Sequence, residues 1–165
     1  MENGALLLQT ASKEFDAVKA SNGPYAVPHS LERDLARVHT FWDGLKRHEA
    51  TMPFWDDVKM STLPDLAGRL MMVEATDKPV RFRIALGLIG ADIKQHYGHD
   101  LSGKFLDEID AAAPLQFLVS QCSATVESRA PTYYRNDGAE GYSRLVLPLW
   151  GYGRIGMLLV GYAFA

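Results

Sequence analysis

Two histidines three positions apart, His96 and His99, are the first residues whose type and spacing could do chemistry. Imidazoles at that interval can share a metal ion, and either can bind haem iron axially. A metal needs further donors, and no cysteine, histidine or carboxylate stands at a supporting spacing. The structural alternative for the pair is simple. His96 closes a helical stretch, where an imidazole complements the helix dipole, and His99 falls in a turn. Asp107, Glu108 and Asp110 crowd together as acid–base pairs do, but the same residues suit the start of a helix, where negative charge is favourable. Cys122 lies on an apolar stripe, the setting of a small buried hydrophobe. Ser102, Ser120 and Ser123 lack the G-x-S-x-G context of a hydrolase nucleophile. The residues therefore assemble no catalytic group and no metal site.

The elements that would position these residues emerge from periodicity. Residues 1–29 carry no sustained pattern and end in "SNGPYAVPH", so they read as a loosely attached arm. Ser30 stands as an N-cap with Glu32 in the first turn, and Leu31, Leu35, Val38, Trp42 and Leu45 share one helical face, which predicts an amphipathic helix from Leu31 to Arg47. A connection through Pro53 and Pro64 completes the segment 30–65.

From Arg69 the period changes to two. "RLMMVEA" and "VRFRIALGL" form a hairpin around "TDKP", with Phe82, Ile84 and Leu86 on one face and Arg81 and Arg83 on the other. A short helix follows from Ala91 to Tyr97, and then "YGHDLSGKFLDEI" turns twice. A second amphipathic helix is expected from Ala112 to near Arg129, with Leu115, Leu118, Val119, Cys122 and Val126 as its stripe and Pro114 tolerated near its start. "APTYYRND", "YSRLVLPLW" and "RIGMLLVGYAF" close the chain as strands. Strands at both ends and helices between them predict an α+β fold, with one antiparallel sheet whose concave face is covered by the middle helices.

Composition narrows the function. A chain of 165 residues that is 47% hydrophobic and 22% charged is an ordinary globular domain, and a net charge of -3 offers no basic patch for nucleic acid or an anionic membrane. One cysteine suits a reducing compartment, the N-terminus has no basic region of a signal peptide, and no apolar run is long enough for a membrane helix. The expected location is the cytoplasm.

"RFRIALGLIGADIKQHYGHDLSGKFLDEI" and the closing "RLVLPLWGYGRIGMLLVGY" resemble, in order and spacing over residues 66–165, the PAS family of sensory domains. The resemblance implies a PAS-like five-stranded antiparallel sheet, helices over one face, and the helix of segment 30–65 as an N-terminal flanking helix. In that reading Gly98 and Gly103 reverse the chain, Leu101 plugs the core, and Phe105 and Leu106 begin a covering helix. The glycines build a wall; they match neither phosphate-binding pattern.

The resemblance also implies a pocket beneath the middle helices, assigned to Phe82, Ile84, His96, Tyr97, Phe117, Cys122 and Trp150. Leu31, Leu35, Val38, Trp42 and Leu45 become the dimer or transmitter face, or else pack on their own sheet. Haem-binding relatives carry a histidine on the long helix, and Ala112 to Ser128 has none. Flavin-binding light sensors carry a cysteine just after the position of Ser102-Gly103, where this chain has Lys104-Phe105-Leu106. No cofactor is therefore expected, and the ligand's identity stays open. The function expected is non-enzymatic signalling through a small-molecule ligand or a signalling partner protein, in a homodimer. The start at Met1 favours a stand-alone regulator over a sensor piece cut at its output boundary. The rivals are a small α+β isomerase or dehydratase, which needs an ionisable base deep in the pocket, and a haem or flavin sensor.

Overall fold

The computed structural model describes residues 23–165; the greater part of the expected arm, residues 1–22, lies outside the described residues. Five strands form one antiparallel sheet: β1 Leu70–Ala75, β2 Phe82–Ile89, β3 Thr132–Asn136, β4 Tyr142–Gly151 and β5 Arg154–Phe164, in the order β2-β1-β5-β4-β3. Among the described residues three α-helices accompany it: α1 Arg33–Gly44, α2 Ala91–Tyr97 and α3 Leu118–Ser128. The architecture is the α+β fold that the sequence pattern predicts.

β4 and β5 form the spine. They pair from Tyr142↔Phe164 to Gly151↔Arg154, and the link between them places Tyr152 and Gly153 at positive φ, the twist that a two-residue hairpin needs. Alternation sends Tyr142, Arg144 and Val146 toward α3 and Ser143, Leu145, Leu147 and Leu149 toward α1. Almost every β4 side chain is buried, so both faces of the sheet need cover.

That need decides the place of α1. Leu35, Val38 and Trp42 are buried in the same core as the strands, with Leu31 and Leu45 packed against it, and the Trp42 Nε1–H donates to the Pro148 carbonyl at 2.9 Å. Of the two places expected for this stripe, a partner or its own sheet, Leu35, Val38 and Trp42 take the sheet, so that α1 covers the face opposite α3. Segments 30–65 and 66–165 share a single core. Glu32, not Ser30, is the N-cap, and its carboxylate accepts from the Tyr133 and Ser143 hydroxyls instead of capping the helix. Tyr25, expected in the loose arm, is buried, with its hydroxyl donating to Ser120 Oγ at 2.8 Å.

The β1–β2 hairpin forms as expected, but its register breaks. Ala75↔Phe82 and Val73↔Ile84 keep step, after which Met71 pairs with Ile89, so β2 bulges around Gly87 at φ 71°. The bulge turns Leu86 outward to 79% exposure, against the alternation expected for it. The glycine turn then seals this strand edge. Gly98 caps α2 at φ 99°, Leu101 is buried, the Gly103 amide donates to the Ile84 carbonyl at 2.8 Å, and the Gly87 amide donates to Ser102 Oγ at 2.6 Å.

Two helical expectations fail here. Phe105 begins no covering helix. It bridges to Arg83 on the edge of β2, and only one 3-10 turn, Leu106–Glu108, follows. Residues 112–117 are also not helical, and α3 starts at Leu118, behind Phe117 at φ 59°. The carbonyls of Pro114 and Gln116 are drawn toward the sheet and are lost to a helical ladder. We call residues 113–117 the strap.

Candidate functional site: a buried guanidinium beneath the strap

Arg144 occupies the middle of β4 on the face that meets α3, and its side chain is completely buried. A guanidinium stays charged in any protein environment, so its partners must answer for that charge. Nε donates to Gln121 Oε1 at 2.7 Å, Nη1 to the Pro114 carbonyl at 3.0 Å and Nη2 to the Gln116 carbonyl at 2.7 Å. All three acceptors are neutral. The guanidinium carbon lies 4.9 Å from the Tyr134 ring centroid and 5.9 Å from those of Tyr142 and Tyr162, so aromatic faces supply what negative potential surrounds it. Among the described residues no carboxylate pairs with it.

Gln121 and Thr125 extend the cluster from α3. Gln121 Nε2 donates to Thr132 Oγ1 and to the Arg144 carbonyl, each at 3.2 Å, and the Thr125 and Thr132 hydroxyls meet at 2.6 Å. The Tyr162 hydroxyl donates to the Pro114 carbonyl at 2.6 Å, so one carbonyl of the strap serves two buried donors. Burial pushes the Tyr162 hydroxyl up to about 12, opposed by nearby Arg144. It likewise pushes the Cys122 thiol up to about 12, leaving a protonated and unreactive sulfur.

The residues assigned to a pocket disperse around this cluster. Phe82, Ile84 and Cys122 are buried in the core between the sheet and its covering helices. His96 is exposed and stacks on Phe164 at 3.8 Å, half-buried Tyr97 donates to the Asp110 carbonyl, and Phe117 is 61% exposed. Trp150 sits half-buried at the far end of the sheet beneath Arg129. The space under the helices is packed core, which is why these residues line no common cavity. His96 and Phe117 instead stand at the two ends of one aromatic row, Phe164, Tyr162, Tyr142 and Tyr134 lying in order between them. Three of those rings surround Arg144.

The stripe assigned to the long helix shifts as well. Leu118 and Cys122 face the core beside polar Gln121 and Thr125, while Val119 is 41% exposed. Asp107 and Glu108 do not cap a helix; they pair with Arg81, which lies over the Phe105 ring, and Arg83 pairs with Glu74. Among the described residues no group of three or more histidines, cysteines and carboxylates could hold a metal, and no helix is long and apolar enough to cross a membrane. Sequence reasoning passed over Arg144, Gln121, Thr125 and Thr132. The available signal was a charged residue sharing a strand face with Tyr142 and Val146 in "YSRLVLPLW".

Behind the strap lies a groove of about 380 Å³ lined by Leu106, Ile109, Leu115, Phe117, Leu118 and Val119, with Asp110 and Ser120 also on its wall. Leu115 and Phe117 face this groove while the carbonyls of Pro114 and Gln116 face Arg144. The strap is the partition between them. The cluster offers hydrogen-bond donors and a fixed positive charge, which suits binding rather than bond-breaking. Compared with known proteins, the chain matches no family model and no curated protein.

Proposed function

We propose that this chain is a PAS-like sensory domain that acts by binding a small molecule, a signalling partner protein, or both, with no enzymatic site and no required cofactor. The observation that carries this reading is the two-layer arrangement around Arg144. The strap and α3 lie over one face of the sheet, and much of their polar attachment converges on that single guanidinium. Bonds from Thr132, Tyr162, Asn136 and Tyr142 complete the attachment, and a ligand or partner that favours one placement of this layer over another shifts the population. The order of hairpin, short helices, longer helix and three closing strands supports the same reading. Any homodimer in this reading uses surfaces other than Leu35, Val38 and Trp42, which are buried.

The isomerase rival needs a buried base on the inner face. The buried polar residues among those described are Gln121, Thr125, Thr132, Ser143 and Arg144, and a guanidinium does not release its proton at working pH. A native mass spectrum of freshly purified protein, with the visible absorption spectrum recorded alongside, tests the proposal. The expected result is a colourless protein that carries a small-molecule adduct or assembles as a dimer. A visible chromophore would replace this reading with the haem or flavin sensor.

A further inference from the structure

Arg144 has five N–H donors, and three of them go to Gln121 Oε1 and to the carbonyls of Pro114 and Gln116. The Tyr162 hydroxyl also lies within hydrogen-bonding reach of the guanidinium, and the two terminal nitrogens together form the fork that a carboxylate takes in a bidentate pair. The acceptors already present are also the wrong kind for a buried cation. Carbonyl and amide oxygens satisfy hydrogen bonds but leave the charge without a counter-ion, and an ionised acceptor makes shorter and stronger bonds to guanidinium than a neutral one.

Two of those neutral acceptors belong to one short segment. Pro114 and Gln116 present their carbonyls to Arg144, while Leu115 and Phe117, alternating with them, line the apolar groove on the other side. The groove's volume of about 380 Å³ falls within the range of small-molecule pockets, roughly 300–1,000 Å³. Its lining is mostly aliphatic and aromatic. Phe117, 61% exposed, holds the end of the strap in a left-handed conformation, a backbone state that non-glycine residues rarely adopt. An apolar groove and a buried cation thus share one wall, and that wall is attached to the cation by two backbone oxygens and to Tyr162 by one of the same two.

Resting on the sensory reading above, we propose that Arg144 is the anchor of a ligand site for a small apolar carboxylic acid. The acid's hydrocarbon part fills the groove, and its carboxylate replaces the Gln116 and Pro114 carbonyls at the terminal nitrogens of Arg144. Pro114 keeps its bond from Tyr162, and the released Gln116 carbonyl turns toward water. Displacement of the strap, which leads directly into α3, is the signal. Asp110 on the groove wall disfavours a ligand with a second negative charge, so the class is monocarboxylic.

The test uses octanoate, with octanol as the uncharged control of equal chain length, on the full chain. Calorimetric titration should give octanoate binding that is about tenfold to a hundredfold tighter than octanol, the factor expected for hydrogen bonds to a charged partner. Arg144→Lys keeps the charge and loses the fork, and should remove that advantage of octanoate over octanol. Should the variant not fold, the wild-type protein still decides the matter: the NMR resonance of the Arg144 Nε–H and the amides of Gln116 and Phe117 should shift with octanoate and not with octanol. Equal binding of the two probes, or octanoate binding without a shift at Arg144, overturns the proposal. A native mass spectrum carrying a molecule without a carboxylate, together with no octanoate response, overturns the acid site and leaves the sensory reading standing.

Discussion

Arg144 and Gln121 meet side chain to side chain, Nε to Oε1 at 2.7 Å, at a point where both residues are completely buried. The amide does more than accept this bond. Its nitrogen returns to the Arg144 carbonyl and to Thr132, so one glutamine ties α3 to β3 and β4 together. Gln121→Leu keeps the volume and removes the acceptor, leaving a buried charged donor unsatisfied. Urea denaturation should show a loss of about 3 kcal/mol. A loss below about 1 kcal/mol would mean that water reaches Arg144 and that the cluster is not the tie described.

Burial acts on two groups beside Arg144 in one direction. Cys122 and Tyr162 are each raised to about 12, above their unfolded values of about 8.5 and about 10. Between the unfolded and folded values the unfolded chain holds fewer protons than the native one. Stability is therefore fully present below about pH 8.5 and falls as pH rises toward 12. Urea midpoints measured from pH 7 to 11 should decline across that window, and Cys122→Ala and Tyr162→Phe should each flatten the decline. Iodoacetamide should leave Cys122 unmodified in the native protein at pH 8 and alkylate it after unfolding.

Gly90 and Gly44 make a matched pair. A Cβ on Gly90 would land on the Gly68 backbone carbonyl, which has no side-chain freedom with which to give way. Gly90→Ala should lower stability by about 2–3 kcal/mol. Gly44 ends α1 with open space around it, and Gly44→Ala should raise stability by about 0.5–1 kcal/mol through the entropy of the unfolded chain. Thermal melts of both variants check the pair.

The bulge in β2 separates two residues that simple alternation would treat alike. Ile84→Ala should cost about 3 kcal/mol, since Ile84 is completely buried, whereas Leu86→Lys should change stability by less than about 0.5 kcal/mol. Comparable losses at both positions in chemical denaturation would show that β2 runs without the bulge.

The sequence by itself determined the elements whose cause is local. Apolar alternation marked the strands, Ala91 and Tyr97 bounded α2, and Gly98 and Gly103 stood where the backbone takes positive φ. Each of these is a property of a few neighbouring residues, so a short window of sequence carries it. The α+β class followed from the order of those elements.

Only the tertiary structure decided what the polar side chains do. Arg144 finds its acceptors 23, 28 and 30 positions away, and the strap leaves the helical path because those distant donors take its carbonyls. The same holds for the face of α1, whose apolar stripe declares that it must be buried but not against what; the second apolar face of the sheet answers that. Periodicity states which way a side chain points along its own element. Which charge it meets there depends on how separate elements stack, and on the need of every buried donor for an acceptor.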